Sequence, residues 1–374
     1  MRSSLTALDP HRASPSPGLM RTLVRLHRPA LYGWTVLVLG LSALLLWLGG
    51  PLTDASVEAW RQFDACLSPT CSYDQAAIIR YKHIYLYATF ATFVVPVLVA
   101  ACAGAALTAR DPENGTAKVA SAQGVSPARW LAVKLTVPAV AVAAGTGLLV
   151  LLHHLMWSAS QGRIDSVKAW YDTPTFYTNG PVLVALALVG LAAGALAGMV
   201  RRRSIAALAT APLAVALIWA ALHAVLPRLW PTVTSVCNLD DGNGLAGDGI
   251  TVGQGFLTST GSRHPFTTDC GPYADFPECR RTVYNKLDAT SFYHEYHPAT
   301  HYWPLQLTAT AILLAATALK SDRTRGRSAA ARGRPRGPAE GRSHGAGRTG
   351  RPQPGASARQ GQGPQGPCPD TRYL

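Results

Sequence analysis

The stretch "PVLVALALVGLAAGALAGMVRRRSIAALATAPLAVALIWAALHAVL", Pro181 to Leu226, consists of two uncharged runs joined by Arg201, Arg202 and Arg203. Each run has roughly the 20 helical residues needed to cross about 30 Å of hydrocarbon. A link of three residues permits only a hairpin, so the two runs lie antiparallel. Three arginines in the link resist translocation and mark it as an inner turn.

Four more uncharged runs lie outside this pair: Leu31 to Gly50, Ile84 to Ala109, Leu135 to Trp157 and Tyr302 to Leu319. One such run alone is compatible with the core helix of a large soluble protein, but six are not. Only 14% of the 374 residues are charged while 48% are apolar, against about a quarter charged in soluble chains. The first run is a poor secretory leader, because about 30 polar residues precede it and it exceeds the usual 7 to 15 residue apolar core of a leader. The expected fold is an all-α integral membrane protein with six transmembrane helices and both termini inside.

Charge between the runs gives the orientation. With the N-terminus inside, the inner segments 1–30, 110–134, 201–203 and 320–374 hold 24 Lys and Arg against 6 Asp and Glu. The outer segments 51–83, 158–180 and 227–301 hold 10 against 14. Without the last segment the inner side still holds 12 cations against 3 acids. The formal net charge of +14 is therefore topological, and nucleic acid is not expected as a partner.

Residues 1–18 read as disordered, 19–319 as the six-span domain and 227–301 as its large outer loop. Residues 320–374, rich in Arg, Gly, Pro, Ala and Gln, read as a disordered basic tail. The abrupt onset of that tail leaves a shifted reading frame open as its origin. "SVEAWRQFDACL" in the first outer loop is a surface-helix candidate. Tyr293, Tyr296, Tyr302 and Trp303 suggest an aromatic belt at the start of the last span. Gly190, Gly194 and Gly198 recur every four residues and make a groove for helix packing within the subunit. Pro96, Pro138 and Pro212 lie inside spans, where kinks are expected.

Five cysteines, Cys66, Cys71, Cys237, Cys270 and Cys279, fall in outer segments, where disulfides persist. Proximity suggests Cys66 with Cys71 and Cys270 with Cys279, although sequence alone does not fix connectivity. No CxxC pair occurs, and Pro298 interrupts any shared helix face for His294, His297 and His301, so no metal site is expected. His153, His154 and His223 read as helix-contact or interfacial histidines rather than a proton relay.

Catalytic signatures are missing. None of the six lysines follows a glycine, so no phosphate-holding GxxxxGK[ST] loop exists here. No GxSG-like nucleophile appears either. No cofactor is expected on this chain.

The segment "RDPENGTAKVASAQGVSPARWLAVK", Arg110 to Lys134, lies on the inner side between two spans. Thr116 to Gln123 is helix-compatible, Gly124 stops it, and Ser126 with Pro127 starts the next helix as N-cap and first residue. A short helix across the base of two spans can act as a lever.

This loop resembles the one after the second span in permeases of type 2 ABC exporters, most closely those common in actinomycetes. Glu113, Gly115, Thr116, Arg129, Trp130 and Lys134 carry the likeness, with the arginine turn and "YHPATHYWPLQ", while Asp111 stands where glutamate is more usual. The resemblance implies a multi-pass plasma-membrane subunit that exports a substrate. It also implies a second permease subunit, identical or not, and a separate ATPase subunit that binds ATP and Mg and docks at Asp111, Glu113, Gly115, Thr116, Arg129 and Lys134. The chain itself would be no enzyme. A membrane-embedded sensor or anchor, binding a ligand through the outer loop, is the alternative.

Overall fold

The computed structural model describes residues 17–66, 72–103, 127–165, 167–201, 204–238, 248–265, 278, 282, 284–286 and 288–332. The chain forms two units, Met1–Lys168 with Thr173–Ala221, and Ala169–Asp172 with Leu222–Leu374.

The first unit is helical. Helix α1, Pro17–Trp47, passes through a π-turn at Leu48–Leu52 into α2, Thr53–Asp64, without a break. Pro51 explains the widened turn, because it has no N–H to give to the preceding helical turn and its ring crowds the carbonyl four residues back. α2 contains most of the surface-helix candidate of the first outer loop, and an exposed pair, Arg61 to Glu58 at 2.9 Å, lies one turn apart on it.

After α2, α3 spans Gln75–Ala103. Asp74 precedes it and accepts the Ala77 N–H at 3.1 Å, which satisfies one of the unpaired first-turn donors. Helices α4, Pro127–Ser160, short α5, Thr173–Thr178, α6, Val182–Arg201, and α7, Ser204–Val225, follow.

Among the described residues, four helices are long and apolar enough to cross a membrane: Arg28–Asp64, Gln75–Ala103, Leu135–Ser160 and Ile205–Arg228. The apolar part of α6, Val182–Gly198, is shorter. The outer faces of these helices are greasy. Leu39, Leu46, Phe90, Leu151, Leu155, Leu213 and Leu217 are all more than half exposed, while Ser42, Thr89, Thr92, Thr146 and His153 are buried. A chain solvated by lipid keeps its polar groups inside in this way.

Close helix contacts use small residues. At Gly190 an added Cβ would lie 2.5 Å from the Pro96 carbonyl oxygen, so α6 meets α3 backbone to backbone there. Gly145 similarly makes room for the Trp34 ring, whose Nε1–H donates to the Ala141 carbonyl at 2.9 Å. Gly194 and Gly198 are buried along the same helix as Gly190.

The second unit corrects the all-α expectation. Strands β1, Val233–Asn238, β2, Gly249–Thr258, β3, Arg263–Pro265, and β4, Ala289–Pro298, form an antiparallel sheet in the order β1-β4-β2-β3. β4 reads "ATSFYHEYHP", a β-branched and aromatic run that favours a pleated, half-buried surface. Its central place in the sheet, paired with both β1 and β2, follows from that composition. Phe256, Tyr284 and Phe292 pack ring against ring with centroids 4.9 to 5.8 Å apart.

Tyr293 and Tyr296 belong to β4. Tyr293 is buried beneath the Arg263 guanidinium, 5.2 Å from its ring centroid, and Tyr296 stacks on His294 at 4.7 Å. Trp303, at the start of the last helix, is more than half exposed. That helix, α8, runs Tyr302–Arg332. It continues past Leu319 into the segment read as a disordered tail, because "KSDRTRGRSAAAR" has enough Ala, Arg and Lys to carry a helix on.

Candidate functional site

Within the first unit a line of buried polar side chains runs between the apolar helices. α3 supplies Tyr81, Tyr85 and Thr89, which are spaced four apart and so share one face. α4 supplies His153 and Ser160, two turns apart. α2 begins with Thr53, and α5 with the turn after it supplies Thr175, Thr178 and Asn179. All nine residues are buried.

Tyr81 donates its hydroxyl to Ser160 Oγ at 2.9 Å, and Ser160 in turn donates to the Met156 carbonyl. Thr53 Oγ1 donates to the Leu48 carbonyl at 2.7 Å and sits 3.4 Å from Ser160 Oγ. Thr53 thereby pins the π-turn to the end of α4. Tyr85 Oη lies 3.3 Å from Thr175 Oγ1.

His153 is the centre of the line and has no exposed surface. Its Nδ1 lies 2.5 Å from Asn179 Oδ1 and its Nε2 lies 2.9 Å from Thr89 Oγ1. A carbonyl oxygen only accepts, so Nδ1 carries the proton and Nε2 accepts from the threonine hydroxyl. Thr178 Oγ1 stands 3.5 Å from the same Nε2. The neutral ring is therefore satisfied on both sides, whereas Asn179 Nδ2 has no partner. The arrangement fastens α5 and the start of α6 to α3 and α4. It offers hydrogen bonds and holds no activated nucleophile.

Tyr177, next to this line on α5, is pushed up from the ordinary phenol value by burial. It meets Phe93 and Trp219 at centroid distances of 6.0 and 5.9 Å, which closes an aromatic cap over the same region of the unit.

In the second unit His297 is fully buried. Its Nε2–H donates to the Pro227 carbonyl at 3.1 Å and its Nδ1 lies 3.3 Å from His301 Nδ1. With Nε2 as the donating nitrogen, Nδ1 of His297 is placed to accept from His301 Nδ1. Burial first, and then neighbouring His297, hold His301 below the ordinary histidine value. His294, 3.0 Å from Thr251 Oγ1, is also lowered by burial. Sequence separated these histidines by Pro298, but the strand-to-helix corner brings two of them together. No group of three or more metal-ligating side chains exists among the described residues.

The residues expected to couple to an ATPase are not brought into view. Asp111, Glu113, Gly115 and Thr116 lie outside the described residues. Arg129 and Lys134 sit on the first turns of α4, which begins at Pro127 as the N-terminal proline signal predicts; their side chains lie outside the description.

Cys66 and Cys237 are disulfide-bonded, Cys102 is free and exposed, and Cys71, Cys270 and Cys279 lie outside the described residues. The two local pairs expected from proximity leave Cys237 without a partner, so its bond is not accounted for by them. His154 packs near Trp157, with centroids 5.9 Å apart, and His223 is exposed on α7.

Sequence reading singled out His153 but missed Tyr81, Tyr85, Thr89, Ser160 and Asn179. The available signal was polar residues every fourth position in "YKHIYLYAT", Tyr81 to Thr89, a line within an apolar run.

A family model described as ABC-2 membrane transporter related matches residues 35–227. The match covers α1 from Thr35 through α7 and so includes the whole buried polar line. No curated protein and no solved structure matches the chain. With just over half of its 374 residues matched, and with several helices apolar and long enough to cross a bilayer, this multi-pass membrane chain belongs to the ABC-2 membrane transporter related family.

Proposed function

We propose that the chain is the membrane-spanning permease subunit of an ABC exporter in the plasma membrane of a bacterium, moving its substrate with ATP hydrolysed by a separate polypeptide. The observation that carries this reading is the family match over residues 35–227, laid on helices with apolar outer faces and polar interiors. The match speaks to the family and not to an actinomycete source. No lysine of the chain follows a glycine, so the nucleotide site belongs to a partner.

In this reading six spans pair with those of a second permease subunit. α6 and α8 join the four long helices as the remaining spans, with both chain ends on the inner side. The segment 110–134, with Asp111, Glu113, Gly115, Thr116, Arg129 and Lys134, is the lever on which the ATPase pushes. Closure of the ATPase subunits around ATP and Mg tilts α3 and α4, which flank the lever, and switches access across the dimer interface.

The four-stranded sheet favours a second reading, a membrane-embedded sensor whose outer domain binds a ligand. Two variants separate them. A permease loses nucleotide-driven transport with Glu113→Ala or Gly115→Pro and keeps its fold, whereas a sensor tolerates both and is disabled by deleting residues 228–300.

A further inference from the structure

Four helices of the first unit leave an apolar recess between them. Ala30, Leu31 and Trp34 of α1 face Cys102 and Ala103 of α3 across it, Ala141 of α4 lines its side and Leu191 of α6 lies against it. The recess is shallow and open to the surface, and its lining is almost entirely apolar. We infer that this recess is a binding site for one acyl chain of an anionic phospholipid, with Arg28 at the headgroup.

The wall chemistry selects hydrocarbon. The one strong donor among the residues named, the Trp34 indole N–H, is already given to the Ala141 carbonyl at 2.9 Å. The ring is held there because residue 145 is glycine, where a Cβ would lie 2.8 Å from the indole. A polar ligand would lose its hydrogen bonds to water and gain none. The start of the apolar span that begins at Arg28, the end of α3 and the first half of α4 meet here, so the recess lies towards one end of the spans rather than at mid-membrane. Arg28 is exposed one turn before Leu31, within reach of a headgroup when its stem lies along the helix. A cation beside a hydrocarbon slot favours an anionic lipid over a zwitterionic one, whose own cation offsets the phosphate. The site depends on the chain being in a bilayer and not on transport.

The test uses the full chain in nanodiscs containing diazirine-tailed phosphatidylglycerol or phosphatidylcholine, with cross-links mapped by mass spectrometry. Labelling is expected at Val99–Ala103 and Pro138–Val142, about five-fold stronger with the anionic probe, and Arg28→Glu is expected to abolish that preference. Ala103→Phe fills the slot and removes these labels while leaving those at Leu151 and Leu155. Because Ala103 is buried, Arg28→Glu serves as the variant that leaves packing untouched. Equal labelling of all exposed apolar positions with no headgroup preference means annular lipid only and overturns the site. So does a Cys102-to-Cys102 cross-link between two copies, which assigns the recess to a second chain.

Discussion

His153 donates its Nδ1 proton to Asn179 Oδ1 across 2.5 Å inside the helical unit, and neither side chain is more than 3% exposed. The pair joins α4 to the turn before α6 where no water competes for the bond. Removing His153 strands Asn179 and Thr89 together. His153→Ala should cost about 1–3 kcal/mol for the unpaired groups alone, read as a lower midpoint of thermal unfolding in detergent. Thr89→Val should cost less, because the ring keeps its Asn179 partner.

Gly190 lies against the Pro96 carbonyl with no room for a Cβ. Gly190→Leu places atoms where the Pro96 carbonyl stands and should destabilise by about 1–3 kcal/mol or more, as overpacking does. Gly147→Ala, at a helical glycine with open space around it, should be neutral or slightly stabilising through helix propensity. Unfolding curves of both variants side by side check the contrast.

Acid should loosen the sheet unit. His294 and His301 have folded values below the ordinary histidine value because they are buried, so the unfolded chain binds more protons. Their contribution is complete above the unfolded value of about 6.5 and is lost as pH falls from there through the lowered folded values. The protection of β4 amides, corrected for the slower intrinsic exchange in acid, should therefore fall between about pH 6.5 and 5. His294→Gln should flatten that dependence, and an unchanged slope would assign the effect to other groups.

Cys102 should be the described cysteine that reacts with a maleimide under non-reducing conditions, since Cys66 and Cys237 are bonded. Intact-mass spectra before and after reduction should show Cys66 and Cys237 modified only in the reduced sample.

The helices were legible because lipid demands long uncharged runs, and Leu135 to Trp157 or Ser204 to Leu226 leave little else for the chain to be. The sheet was not legible, since β4 lies in a loop whose other stretches are rich in Gly and Asp, and its partner β2 begins 40 residues earlier in sequence. Long-range pairing of that kind leaves no local period beyond the run "TSFYHEYH". The polar line was half legible. His153 stands out in an apolar run, but its partners Thr89 and Asn179 are 64 and 26 residues away and meet it only after the helices pack.

Affinity purification of the full chain from its native membranes tests the permease account most directly. The account predicts that a separate P-loop ATPase co-purifies, that its hydrolysis drives transport in reconstituted vesicles, and that Glu113→Ala breaks this link with the complex still assembled. Transport by the isolated chain without nucleotide would contradict it.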